Sequence, residues 1–189
     1  MINYARKYKI IVMLLLVASS SCFAGMDEQE LAIAKAIMDR SGINATKSIS
    51  LVLQQYKGIV YDYELDTDDS DDDALIHQIK LIDLETDVKH KITVSALDGS
   101  IVEIEEESLF SWFYEDDSVK AVKKLQKLNY SLVEAMTTIS LPSDGIFYDV
   151  ELEDKQGVVY FELEMFSSQG EQELLVDAAS RKIIPVFQR

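Results

Sequence analysis

The chain has 189 residues, of which 34 are acidic and 18 basic, for a formal net charge of −16, and about half are apolar. That length holds one ordinary domain or two small ones. A nucleic-acid binder needs a cationic surface to neutralise phosphates and release counterions, so the charge excludes that class, and anionic membrane surfaces are disfavoured for the same reason.

The N-terminus reads as an export signal and not as part of the fold. Arg6, Lys7 and Lys9 form a basic start, Ile10 to Val17 is an unbroken apolar run, and Ser19, Ser20 and Ser21 lead to Cys22-Phe23-Ala24. This is the pattern of a secretory signal peptide over residues 1–24, too short to span a bilayer. Cleavage before Gly25 removes three positive charges and no negative ones, taking the net charge from −16 to −19, and leaves no integral membrane span. Lipidation at Cys22 is the less favoured alternative, because Ser19 stands where a lipoprotein signal normally places a large aliphatic residue. Either way the folded part has no cysteine and hence no intramolecular disulfide, which fits a bacterial periplasmic or secreted protein.

Asp27 and Glu30 suit a helix start, and Leu31, Ala34 and Met38 fall on one helical face that Gly42 ends. A second helix begins near Asn44, with Ile49, Val52, Leu53 and Tyr56 at helical spacing. Residues 59–65 alternate as a strand, which would put Ile59, Tyr61, Tyr63 and Leu65 on one face and Val60, Asp62 and Glu64 on the other. The acidic run Asp66–Asp73 resists packing and reads as an exposed loop. Strands over 75–84 and 88–96, a turn at Asp98-Gly99 and a short strand at 101–104 follow. The second half then runs through a helix from Ser118, another capped by Ser131 and Glu134, and strands at 146–153, 158–166, 172–178 and 183–186.

The halves share a nonapeptide. Gly58-Ile59-Val60-Tyr61-Asp62-Tyr63-Glu64-Leu65-Asp66 returns 87 residues later as Gly145-Ile146-Phe147-Tyr148-Asp149-Val150-Glu151-Leu152-Glu153, identical at six of nine positions. The expected fold class is therefore α+β, with two tandem units, each packing helices on its own antiparallel β-meander. The expected boundaries are a first unit at 25–107, an aromatic and acidic connector at 108–117, and a second unit at 118–189.

The second unit resembles a PepSY domain. The likeness rests on the helix Ser131–Ile139, the strand Gly145–Leu152, the strand Val159-Tyr160-Phe161-Glu162-Leu163-Glu164, and the ending Val176-Asp177-Ala178-Ala179-Ser180-Arg181-Lys182-Ile183-Ile184. Ser180-Arg181-Lys182 departs from the family's usual Thr-Gly turn. The first unit keeps the Asp98-Gly99 turn but lacks the Val-Asp-Ala strand. The resemblance implies a role in binding or regulation, such as modulation of a peptidase or of another envelope protein. Its motifs are structural and name no catalytic group.

No catalytic, cofactor or metal residues are expected. The acidic run fails as an EF-hand loop, because Asp71 stands at the sharp-turn position and His77 where a bidentate Glu belongs. A small-ligand or cation-binding role is the alternative function. His77 and His90 are the only histidines, and His90 alternates with apolar residues as a structural histidine would. Phe110, Trp112, Phe113 and Tyr114 are either a docking patch for a protein or peptide partner or packing between the units.

Overall fold

The computed structural model describes residues 28–68, 74–109 and 116–185. The signal peptide, the tip of the acidic run and all four aromatic candidates Phe110, Trp112, Phe113 and Tyr114 lie outside the described residues. The chain runs through α1 (Glu28–Ser41), α2 (Ala45–Leu53), β1 (Ile59–Asp68), β2 (Ala74–Asp83), β3 (Val88–Ser95) and β4 (Ile101–Ser108). It continues through α3 (Asp117–Leu128), α4 (Leu132–Thr138), β5 (Ile146–Lys155), β6 (Val158–Ser167), β7 (Gly170–Asp177) and β8 (Lys182–Ile184). β4 runs past the expected end at 104 to Ser108, taking in Glu105, Glu106 and Glu107.

The helices form where amphipathic spacing and caps coincide. Asn44 accepts from the Lys47 amide at 2.9 Å to cap α2, and Asp116 accepts from the Ser118 amide at 3.0 Å to cap α3. Ser131 caps α4, accepting from the Glu134 amide at 3.2 Å and donating to the Glu134 carboxylate at 2.8 Å. Gly42 and Asn129 end α1 and α3 at left-handed φ of 73° and 47°. Ser131→Ala is expected to cost about 1 kcal/mol by orphaning a first-turn amide, measured by urea denaturation.

The eight strands form one antiparallel sheet in the order β4-β3-β2-β1-β5-β6-β7-β8. This corrects the expectation of two tandem units with separate meanders. β1 and β5 would each be the exposed edge of a half, and they pair with one another: Asp62 opposite Glu151, Tyr63 opposite Val150, Glu64 opposite Asp149. An unpaired edge carries free backbone donors and acceptors, and each copy of the repeat covers the other's. Alternation reveals which face a residue takes but not which strand lies beside it, so this pairing was invisible in the sequence.

One helix-covered face of the sheet holds the core. Tyr63, Ile79, Leu81, Ile92, Val150, Phe161, Leu163 and Val176 are buried there, under Leu31, Ala34, Ile49, Val52, Val122, Leu125 and Leu132 of the helices. The helix layer crosses the β1–β5 seam: α3 and α4 pack on β1, and α2 packs on β5. The buried residues accordingly form one contiguous cluster through both halves. Fully burying such an aliphatic or Phe side chain contributes roughly 1.5–3 kcal/mol.

Each repeat strand contains a β-bulge at the same place, between Val60 and Asp62 in β1 and between Phe147 and Asp149 in β5. The extra residues are Tyr61 and Tyr148. The bulge also corrects the expected alternation. Val60, opposite Leu81, joins the Tyr63 and Leu65 face, and Tyr61, the extra residue, has no partner on β2. Lys89 Nζ lies 5.5 Å from the Tyr61 ring centroid, and Tyr148 hydrogen-bonds Glu164. Tyr61 is buried in the core cluster beside Ser118 and Ala121 of α3, whereas Tyr148 is only partly buried against it.

Candidate functional site

The seam places the polar residues of the two repeats side by side. A shift of 87 residues carries Asp62 onto Asp149, Tyr63 onto Val150 and Glu64 onto Glu151, and the pairing exchanges the same positions across the seam. The repeat is therefore related to itself by a pseudo-two-fold axis through the Tyr63–Val150 pair. Both flanking pairs, Asp62 with Glu151 and Glu64 with Asp149, set a carboxylate directly opposite a carboxylate. Like charges at directly opposed positions destabilise a ladder.

The carboxylates continue outward over the face opposite the helices. Asp149 lies opposite Glu164, which lies opposite Glu173, and Glu151 lies opposite Glu162. The first half has the same geometry with opposite charge. Asp62 lies opposite Lys80, which lies opposite Lys91; Ile82 faces Lys89 where Phe166 faces Glu171. Lys80 thus holds the position that Glu164 holds in the second half, and Lys89 and Lys91 hold those of Glu171 and Glu173. Lys80 Nζ donates to Asp62 at 2.8 Å, and Lys91 lies 3.1 Å from Glu105. Asp149 has no such neighbour opposite it in either adjoining strand.

The electrostatics follow this asymmetry. Burial, then the charges of Asp62, Glu164, Glu64 and Glu151, push the Asp149 carboxyl up to about 7. Glu151 is raised by burial and then by Asp62 and Glu153. Glu64 is raised by burial and then by Asp66, with Lys80 and Lys91 acting against the shift. Glu162 is raised by burial, Glu173 and Glu164. Four carboxyls on one sheet face are therefore held above their ordinary range.

A groove of about 460 Å³ lies at the first-half end of this face, among Tyr61, Asp62, Lys80, Lys89, Glu105 and Glu151. Its lysines are engaged within the fold; Lys89 donates to Asp116, the α3 cap, at 2.7 Å. The lining is charged, and its lysines are paired with carboxylates.

The histidines lie apart from one another. His77 is fully buried on the helix side. Its Nε2 lies 3.2 Å from the Ile43 carbonyl, which can only accept, so Nε2 carries the proton and Nδ1 accepts from the Tyr63 hydroxyl at 3.0 Å. Burial lowers His77 to about 4. His90 is half-buried between the Tyr56 ring, 5.6 Å away, and Glu106 at 3.4 Å. Among the described residues, no group of three or more His, Cys, Asp or Glu is placed to hold a metal ion. Residues 69–73 of the acidic run are not among them. No helix of the described residues is long and apolar enough to cross a membrane.

The sequence reading missed the carboxylate seam. Its signal is the Asp-x-Glu spacing common to both repeat strands, which alternation alone assigns to the face away from Tyr63.

No family model matches the chain, and no curated protein matches it. Among solved structures, the chain is similar to a Clostridium difficile 630 protein described as a putative lipoprotein. That protein shares 18% identity over 76% of this chain and 91% of its own, with a TM-score of 0.45. That likeness is too distant to carry fold or function across, so the site rests on this chain's own residues.

Proposed function

We propose that this chain is an exported protein of the PepSY type that acts by binding a protein or peptide partner in the cell envelope, not by catalysis. The observation that carries the reading is the eight-stranded sheet clothed by helices on one face, with carboxylates spread over strands β1, β5, β6 and β7 on the other. Such a face selects a partner with Lys or Arg residues, because complementary charge speeds encounter and excludes anionic competitors. The signal-like residues 1–24 support export, and the PepSY-like strands support a regulatory role, such as modulating a peptidase. Strand addition at the β4 edge is a second means of holding an extended peptide.

The test is titration of residues 25–189 with a Lys/Arg-rich peptide by calorimetry at several salt concentrations. Glu162→Gln and Glu164→Gln together are expected to weaken binding about tenfold, while Asp39→Asn on α1, a charge change off the sheet face, leaves it unchanged. Equal losses from both would mean unspecific attraction to net charge and would overturn the reading. The cation-binding alternative predicts instead that Ca²⁺ raises the melting temperature, since a ligand preferring the native state stabilises it.

A further inference from the structure

The β1–β5 seam joins the two halves through three paired positions, whereas β1 and β2 pair at nine and β5 and β6 at nine. Two of its three pairs oppose carboxylate to carboxylate. The joint in the middle of the sheet is therefore the shortest of the inner ladders and the one whose facing side chains repel. We propose that this seam is an acid-tightened clasp, in which proton uptake by Asp149, within the cluster of Asp62, Glu64, Glu151 and Glu164, locks the two halves of the sheet together and proton loss loosens their pairing.

The surroundings of Asp149 make it the proton-binding member. From β1 it is faced by Asp62 and Glu64, from its own strand by Glu151, and from β6 by Glu164. Behind Glu164 stands Glu173 of β7, and beside Glu151 stands Glu162 of β6. Tyr148 binds Glu164 by its hydroxyl and is held above its ordinary range, so it stays neutral. Tyr63, at the centre of the seam, is raised by burial and by Asp149, and also stays neutral. The cations lie toward the first half: Lys80 pairs with Asp62 and acts on Glu64 and Glu151, and Lys91 acts on Glu64. On the helix side of β5, Lys124 is paired with Asp154. Asp62 is thus paired with Lys80, while its two-fold mate Asp149 meets Glu164 at the same position.

The sign follows from linkage. A carboxyl raised from 3.8 to about 7 in the fold is protonated there while still ionised in the unfolded chain. Folding therefore takes up a proton, and stability grows as pH falls through 7 and levels off near 4. His77, lowered from 6.5 to about 4, acts oppositely below 6.5, so the wild-type curve alone flattens there and the seam has to be isolated by difference.

The first experiment measures melting temperature against pH for the wild type and for Asp149→Asn. The variant is expected to melt about 4 °C higher at pH 8.5, with the gap closing toward zero near pH 4. Glu164→Lys, which gives the second half the lysine that the first half has, is expected to shrink the pH dependence in the same way. The second experiment needs no variant. Hydrogen-exchange protection of segments 62–64 and 149–151, corrected for intrinsic rates, is expected to rise about tenfold from pH 8.5 to 6.5 relative to the β2–β3 ladder. A pH-independent gap between wild type and Asp149→Asn, or protection that changes equally in seam and outer ladders, would overturn the proposal.

Discussion

Tyr63→Ala is expected to destabilise the protein by about 4 kcal/mol, the size of a buried aromatic truncation. Tyr63 is 0% exposed and sits on the pseudo-two-fold axis opposite Val150, between the sheet and the helix layer of both halves. Its removal would leave a cavity at the point where the two half-cores meet. It would also strip His77 of the hydroxyl at 3.0 Å that donates to its Nδ1. Tyr63→Phe separates the two effects: it keeps the packing and loses only the hydrogen bond, at about 1–2 kcal/mol. Urea unfolding of both variants checks the ordering, and equal losses would contradict it. The pair also sets an acid limit. His77 is held neutral by burial, so its contribution is fully present above pH 6.5 and is lost as pH falls toward 4. His77→Phe is expected to remove that loss, and Phe161 already occupies the matching place in the second half, where Val150 replaces Tyr63.

Gly58→Ala is expected to cost about 3 kcal/mol, combining backbone strain with overpacking, while Gly145→Ala at the matching repeat position costs under about 1 kcal/mol. Gly58 has φ of 146°, and a Cβ there would lie 2.5 Å from Leu81 Cδ1 and 2.8 Å from the Ile82 carbonyl oxygen. The carbonyl belongs to the β2 ladder and cannot move aside. Gly145 has no such backbone demand, and its nearest neighbour, at 2.9 Å, is the tip of the Leu141 side chain in a partly exposed loop. Thermal unfolding of the two variants side by side gives the comparison. Similar losses would mean that the two copies of the repeat share one constraint, against the geometry.

These two cases show the limits of legibility. The repeat strands, the Asn44 and Ser131 caps and the apolar faces of α1 and α3 were readable, because each depends on residues within a turn or two of one another. The Tyr61 and Tyr148 bulges were not. A bulge is decided by the partner strand, and without it the period-two rule put Val60 on the face opposite Tyr63. Nor did the sequence distinguish Gly58 from Gly145, whose local texts are nearly identical.

By itself the sequence determined that the chain carries a repeated strand, an acidic surface and a signal-like start, because composition and local periodicity are properties of the chain alone. The tertiary structure decided that the repeats are not two separate units. The free edges of β1 and β5 satisfy one another's backbone groups, and that single pairing merges two meanders into one sheet over one core. The same contact turns two unremarkable Asp-x-Glu strands into a cluster of opposed carboxylates. Burial and mutual repulsion, which raise the Asp149 carboxyl to about 7, arise only when residues 87 positions apart in the sequence are brought to neighbouring strands.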